Sequence, residues 1–228
     1  MSMGPVGFGD AAGYSNASLL LATCMSNGTL LQPDRPLAFP DSFLTNYSRL
    51  EQLGDVRVAH SALATGAGDR AYYVLAWQLA ADLALARSDL YPAPGAGAEF
   101  VALSYSGVAG FGGCVDGAPL SACAEAVPFP GGPLLRATGT GADDWRLSTL
   151  APVLSSGWVL LGELDKAVPL SARRFGAIEQ PADGSLTVAL AGAPGERVRV
   201  AAAQSAGTVS VLEATVAEDG TAILRFVA

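Results

Sequence analysis

Apolar and polar residues alternate through much of the C-terminal part of this 228-residue chain. "SLTVAL" sets Leu186, Val188 and Leu190 on one side, and "RVRVA" does the same with Val198 and Val200. A period of two gives a strand one apolar and one wet face, as antiparallel sheets allow. "TVSVLEATV" and "TAILRFV" continue the pattern as a meander, with Asp183-Gly184, "APGE" and Asp219-Gly220 at the corners. Short strands at regular spacing with turn signals between them predict an antiparallel sandwich. Upstream, "VRVAHSAL" places Val56, Val58, His60 and Ala62 on one face, "GAGD" makes a turn, and "RAYYVLAWQL" reads as a more fully apolar strand. "AEFVALSYS", "WRLSTLAPV" and "GWVLLGEL" are further strands. "DLALARSDLYP" suits a helix by propensity and a strand by context, and both stay open.

The first 54 residues follow a different rhythm. A glycine-rich turn, "GPVGFGDAAGYSN", precedes a helix predicted through "ASLLLATCMS", capped by Ser15 or Asn16 and left at Gly28. "TLLQP" then reads as a short strand, a proline-punctuated loop runs to Pro40, and "DSFLTNYSRL" is a short helix or strand. Strand, turn, helix, strand is the order found in α/β barrels and doubly wound sheets. The expected fold is mainly β: an antiparallel β-sandwich over 55–228, preceded by a short α/β segment over 1–54.

Half of the residues are hydrophobic, 15% are charged and the net charge is -8. That composition supports a sizeable core. An acidic surface with scattered arginines argues against nucleic acid or an anionic membrane as partner. No run approaches the roughly 18–20 apolar residues of a spanning helix, so no transmembrane segment is expected. "MSMGPVG" shows neither the basic nor the apolar part of a signal peptide. Yet the only three asparagines, Asn16, Asn27 and Asn46, all stand in N-x-S/T acceptors. As glycosylation candidates they favour a secreted or lumenal protein whose N-terminus is missing from this sequence; as turn residues they need no such explanation. Cys114 and Cys123 flank "CVDGAPLSAC" and are candidates for a disulfide, while Cys24 reads as a buried thiol. With one histidine and no C-x-x-C spacing, no metal site is expected.

Candidate chemistry is sparse. Gly7, Gly9 and Gly13 are one residue too widely spaced for a dinucleotide fingerprint. His60 is the only base available to a Ser-His-Asp triad, but it lies mid-strand, Ser61 points the other way, and no G-x-S-x-G elbow exists. A hydrogen-bonded structural role suits it better. Tyr72, Tyr73, Trp77, Tyr105, Trp145 and Trp158 suit a core, and any left exposed could stack on sugar rings. Arg173–Arg174 and Asp143–Asp144 read as solvated turn charges. Asp10, in a glycine turn before a helix, occupies the kind of position that forms the catalytic rim of an α/β barrel, or else it serves only its own turn.

These residues carry a family likeness. "GDAAGYSNASLLLATCMSNGTLLQPDRP" resembles a late stretch of the (β/α)8 barrel of glycoside hydrolase family 36, the raffinose synthases and alkaline α-galactosidases. The match runs through Gly9-Asp10, Gly13, Asn16, Leu19–Leu21, Asn27-Gly28 and Leu30-Leu31 before Pro33. It departs at Gln32, where the family has Arg, and in lacking Ser before the aspartate. "TLAPVLSSGWVLLGELDKAVPLSARRF" is similar to the segment leading into the family's C-terminal β-sandwich. The resemblance implies that residues 1–54 are the end of a (β/α)8 barrel and that Asp10 is the general acid/base of a retaining enzyme. It also implies that the complete parent acts on an oligosaccharide or galactoside without a cofactor. The nucleophile would lie on an earlier barrel strand, so the isolated chain is expected to be inactive. The alternative is a non-catalytic carbohydrate-binding or adhesion module.

Overall fold

The computed structural model describes residues 16–40, 42, 54–105, 114–127, 134–136, 138 and 144–227. Asp10, Asn46 and most of the segment between Pro40 and Gly54 lie outside the described residues, as do the opening glycine turn and Asp143. The described fold is mainly β and its strand pairs are antiparallel.

After helix α1 (Ala17–Leu21) come β1 (Asp55–Ala62), β2 (Arg70–Trp77), β3 (Leu83–Ala84), β4 (Phe100–Tyr105), β5 (Ala124–Val127), β6 (Leu134–Leu135) and β7 (Trp145–Pro152). Five of these form one sheet in the order β1-β2-β7-β4-β5, and β3 pairs with β6 beside it. The rest of the chain supplies β8 (Trp158–Gly162), β9 (Phe175–Glu179), β10 (Leu186–Ala191), β11 (Arg197–Gln204), β12 (Val209–Thr215) and β13 (Thr221–Phe226). They make two three-stranded sheets, β12-β11-β8 and β13-β10-β9.

The sandwich is therefore present, but its C-terminal strands do not form a simple meander. Two consecutive pairs occur, β9 with β10 and β11 with β12; the chain crosses between sheets from β10 to β11 and again from β12 to β13. Crossing lets the apolar side of each strand meet another sheet. Val198, Val200 and Val209 gather with Ile178, Val188, Leu190, Leu224 and Phe226 in one buried cluster. Polar corners support the reversals: Asp183 Oδ1 accepts from the Ser185 N–H at 2.9 Å, and Asp219 Oδ1 from the Thr221 N–H at 3.0 Å.

The five-stranded sheet is buried on both faces. Ala59, Tyr73, Leu103, Leu147 and Ala151 join the sandwich's cluster. Val56, Val58, Tyr72, Val74, Phe100 and Leu150 face the other way and pack under Leu79, Leu83, Leu85, Leu90 and Leu135. Double burial explains why "RAYYVLAWQL" is apolar throughout rather than alternating. "DLALARSDLYP" proves to be neither long helix nor long strand. It contributes the short β3 and a 3-10 turn (Arg87–Asp89), with its leucines covering the second face.

Residues 16–40 are stitched to this body. Helix α1 ends at Leu21, short of the predicted Ser26, because the chain reverses: Cys24 bridges Leu30, and the Met25 N–H donates to the Thr29 carbonyl at 2.9 Å. Met25 and Leu31 enter the main core. The arm then runs beside β1, where Ala38 and Val58 exchange both backbone hydrogen bonds and Asp34 Oδ2 accepts from the Ala62 N–H at 2.7 Å. It thereby covers part of an otherwise open sheet edge. No parallel strand pair occurs among the described residues; the parallel contact they show is the single bridge Ala64–Ala177.

Arg174 corrects the sequence reading most sharply. Expected as a solvated turn charge, it has no exposed surface. Its Nε donates to Glu163 Oε2 at 2.7 Å, its Nη2 to Glu196 Oε1 at 2.7 Å, and its Nη1 to the Ala191 carbonyl at 2.7 Å. Glu196 also accepts from the Ser26 N–H at 3.0 Å, tying in the N-terminal arm. The approach is so close that a Cβ at Gly192 would lie 2.5 Å from Arg174 Nη1. Burial pushes the Glu163 carboxyl upward, against the pull of Arg174 and Lys166. For Glu196 burial also acts upward, but the hydrogen bonds from Arg174, Ala193 and Ser26 prevail and bring it down to about 2.

Removing one member of such a cluster strands the others without a counter-charge. Arg174→Met should lower stability by about 3–5 kcal/mol, measured as a drop in denaturant midpoint, while Arg173→Ala at an exposed position should stay within about 0.5 kcal/mol. Because the folded Glu196 value lies below its ordinary 4.5, its contribution is complete above that pH and is lost as pH falls toward about 2.

Candidate functional site

The register of the central sheet brings tryptophans together. Asp55, Trp77 and Trp145 are directly paired across β1, β2 and β7, so their side chains share one face at the end of the sheet. Arg57, Leu75, Leu147 and Tyr105 form the next rung on that face. Farther along, the face is covered by the sandwich; at this end it is not. Trp77 is 43% exposed and Trp145 44%, while Tyr105 is buried and stacks on Trp145 with centroids 6.5 Å apart and planes 29° from parallel.

Local features hold this rung in place. The Gln78 N–H donates to the Asp144 carbonyl at 2.9 Å, continuing the pairing past the tryptophans. On the other side, Gly54 has φ +96° and presses against the same strand: a Cβ there would lie 2.3 Å from the Gln78 carbonyl oxygen. Only glycine permits both the dihedral and the approach. Arg57 supplies polar groups beside the rings, pairing with Asp55 at 3.0 Å and lying 4.5 Å from the Phe39 ring centroid. Both partners keep part of their surface in solvent. The arrangement is a flat aromatic surface two residues wide, flanked by a carboxylate and a guanidinium.

Of the six aromatics expected to divide between core and ligand, four are buried: Tyr72, Tyr73, Tyr105 and Trp158. Trp158 is buried in the sandwich, and its Nε1 donates to the carbonyl of Gly184 in the turn before β10 at 2.8 Å. Nothing in the sequence marks Trp77 and Trp145 as a pair. Only strand register shows that residues 68 positions apart meet.

Cys114 and Cys123 are joined by a disulfide. Their loop docks on the hairpin of β11 and β12 through Asp116 Oδ1, which accepts from the Val211 N–H at 2.8 Å. Cys24 is a free, half-buried thiol rather than a fully buried one. Asn16 caps α1, its Oδ1 accepting from the Ser18 and Leu19 N–H groups, and Asn27 Oδ1 accepts from the Thr29 N–H at 3.0 Å. Both asparagines are exposed. Among the described residues no group of three His, Cys, Asp or Glu side chains could hold a metal ion, and no helix is long and apolar enough to cross a membrane.

His60 lies opposite Tyr72 on the second face, 7% exposed. Ser61 points to the opposite face, where its Oγ is 3.2 Å from the Tyr73 hydroxyl. That separation leaves no nucleophile–base pair between the two neighbours. Burial pushes the imidazole below its ordinary 6.5, helped by Arg70 and Arg35 and opposed by Asp34 and a hydrogen bond to the Tyr91 backbone.

The chain matches no known family model and no curated protein.

The depressed His60 value has a measurable consequence. The folded state holds the neutral imidazole, so stability is full above about 6.5 and falls as pH drops through the lower folded value. NMR titration of the single histidine should give a midpoint below 6.5, and His60→Gln should remove that part of the acid-side loss.

Proposed function

We propose that this chain serves α-galactoside chemistry as a non-catalytic, sugar-holding β-sandwich part of a glycoside hydrolase family 36-like protein. The likeness of residues 9–36 to that family supports the substrate class, with Asp10 as general acid/base of the complete parent. Retaining hydrolysis also requires a nucleophile about 5–5.5 Å from that acid. Neither likeness points to a nucleophile within residues 1–228.

The observation that carries the binding role is the half-exposed Trp77–Trp145 pair. Leaving two indoles in water forfeits burial that a strand end could obtain by other means. A sugar ring offers a C–H face to such a surface and hydroxyls at its edge, and Asp55 and Arg57 stand where those hydroxyls would be. The adhesion reading shares this surface and differs only in lacking any connection to bond cleavage.

Calorimetric titration with galacto-oligosaccharides should show saturable binding, weakened about twofold to tenfold by Trp77→Ala or Trp145→Ala and lost in the double variant. The same protein should not turn over aryl α-galactosides. Robust turnover abolished by Asp10→Asn would show that the chain contains a whole active site, and binding that ignores both tryptophans would remove the platform from the account.

A further inference from the structure

The fold explains the asparagines of the N-terminal arm but not the residues that follow them. Asn27 stands at the tip of the arm's reversal, and its Oδ1 accepts from the Thr29 N–H at 3.0 Å. Such a turn needs the asparagine carbonyl and a backbone N–H two residues on, which any residue but proline supplies. The Thr29 hydroxyl takes no part in it and makes no hydrogen bond among the described residues. Asn16 repeats the pattern: its Oδ1 accepts from the Ser18 and Leu19 N–H groups, and the Ser18 hydroxyl is likewise unused. Turn and cap account for each asparagine and leave the hydroxyl residue at the second position without a structural task. An N-glycosylation acceptor requires both.

The geometry at Asn27 leaves the amide nitrogen available. Its Nδ2 makes no hydrogen bond among the described residues, because the turn uses only Oδ1. That oxygen remains an acceptor when a sugar is joined to the nitrogen. Ser26, Asn27 and Gly28 are all exposed. Gly28 has φ +83°, and no atom lies within 4 Å of the place its Cβ would take, so the space beside the acceptor is open.

The disulfide between Cys114 and Cys123 points to the compartment. Such bonds persist in secreted and lumenal proteins, whereas cytosolic reductants keep thiols reduced. Asparagine acceptors are used in proteins that take the same secretory route.

We propose that Asn27 carries an N-linked oligosaccharide, added by an oligosaccharyl transferase as the chain passes through an oxidising lumen. The donor is an oligosaccharide on a polyprenyl pyrophosphate. Asn27 Nδ2 forms a bond to the anomeric carbon while the bond from that carbon to the pyrophosphate oxygen breaks. The lipid pyrophosphate leaves with the electron pair, the amide proton passes to a base of the transferase, and nothing is oxidised or reduced. The modification is independent of the sugar-holding role, since Asn27 lies on the arm and not on the strands that bear Trp77 and Trp145.

Peptide mapping of the protein isolated from its own cells, digested without reduction, tests both parts. The expected map contains a glycosylated Asn27 peptide, converted to the aspartate form by a peptide N-glycosidase, and a peptide pair linked through Cys114 and Cys123. The full chain secreted from a eukaryotic host behind a cleavable leader tests the acceptor itself. Thr29→Ala keeps the backbone N–H that Asn27 Oδ1 holds but removes the hydroxyl, so it should abolish occupancy at Asn27 with an unchanged melting temperature. Thr29→Ser should retain occupancy and carries the test should Thr29→Ala fail to fold. The proposal is overturned by an unmodified Asn27 peptide from the native source, by glycan confined to Asn16 or Asn46, or by Cys114 and Cys123 thiols that alkylate before reduction. Glycan kept at Asn27 in Thr29→Ala, or lost in Thr29→Ser, would overturn it as well.

Discussion

The guanidinium of Arg174 lies wholly buried between Glu163 and Glu196, and through them it joins three distant parts of the chain. Glu163 follows the last residue of β8, Glu196 precedes β11, and Ser26 belongs to the N-terminal arm that donates to Glu196. Nearby, Lys166 donates to the Leu21 carbonyl at 2.8 Å, and Ser171 to the Gln32 carbonyl at 2.8 Å. The segment between β8 and β9 thus holds the arm with side-chain donors, and the arm in turn covers part of β1. Without Arg174 the Glu163 and Glu196 carboxylates would be left in a dry interior with no guanidinium between them, and one tie of the arm, through Ser26 and Glu196, would be weakened. The cluster's value lies in fixing this one arrangement; a well-packed apolar replacement of the whole set could be equally stable.

From that anchoring follows the position of the aromatic surface. The sandwich covers one face of the five-stranded sheet, and the leucine-bearing loop and arm cover the other. Where the first cover stops, the rung of Asp55, Trp77 and Trp145 meets solvent. The aromatic surface sits on strands rather than on loops, so its geometry is set by register and by close packing such as that at Gly54.

Strand positions were legible in the sequence because each carries its own period-two signal, as in Leu186–Val188–Leu190. The partners were not. Alternation says which residues share a face but not which strand lies beside it, so the sheet crossing between β10 and β11 was read as a meander. Phe175–Glu179 was missed because "RRFGAIEQ" lacks a run of alternating apolar residues. The same limit hid the candidate sites. Arg174 looked like a surface charge because its partners lie 11 and 22 residues away, and the two tryptophans meet only through pairing of β2 with β7. His60 was readable as structural from its apolar neighbours. The likeness to family 36 rests on residues that the described structure only partly includes.

The proposed sugar-holding role rests on the exposed end of the central sheet. The chain has three tryptophans, and they divide cleanly: Trp77 and Trp145 lie on the platform, while Trp158 is sealed in the sandwich with its indole N–H bonded to Gly184. Indole N–H signals followed by NMR during titration with a galacto-oligosaccharide test the claim most directly. Saturable movement of the Trp77 and Trp145 signals with Trp158 fixed is the expected result. Three unmoved signals, or equal movement of all three, would contradict it.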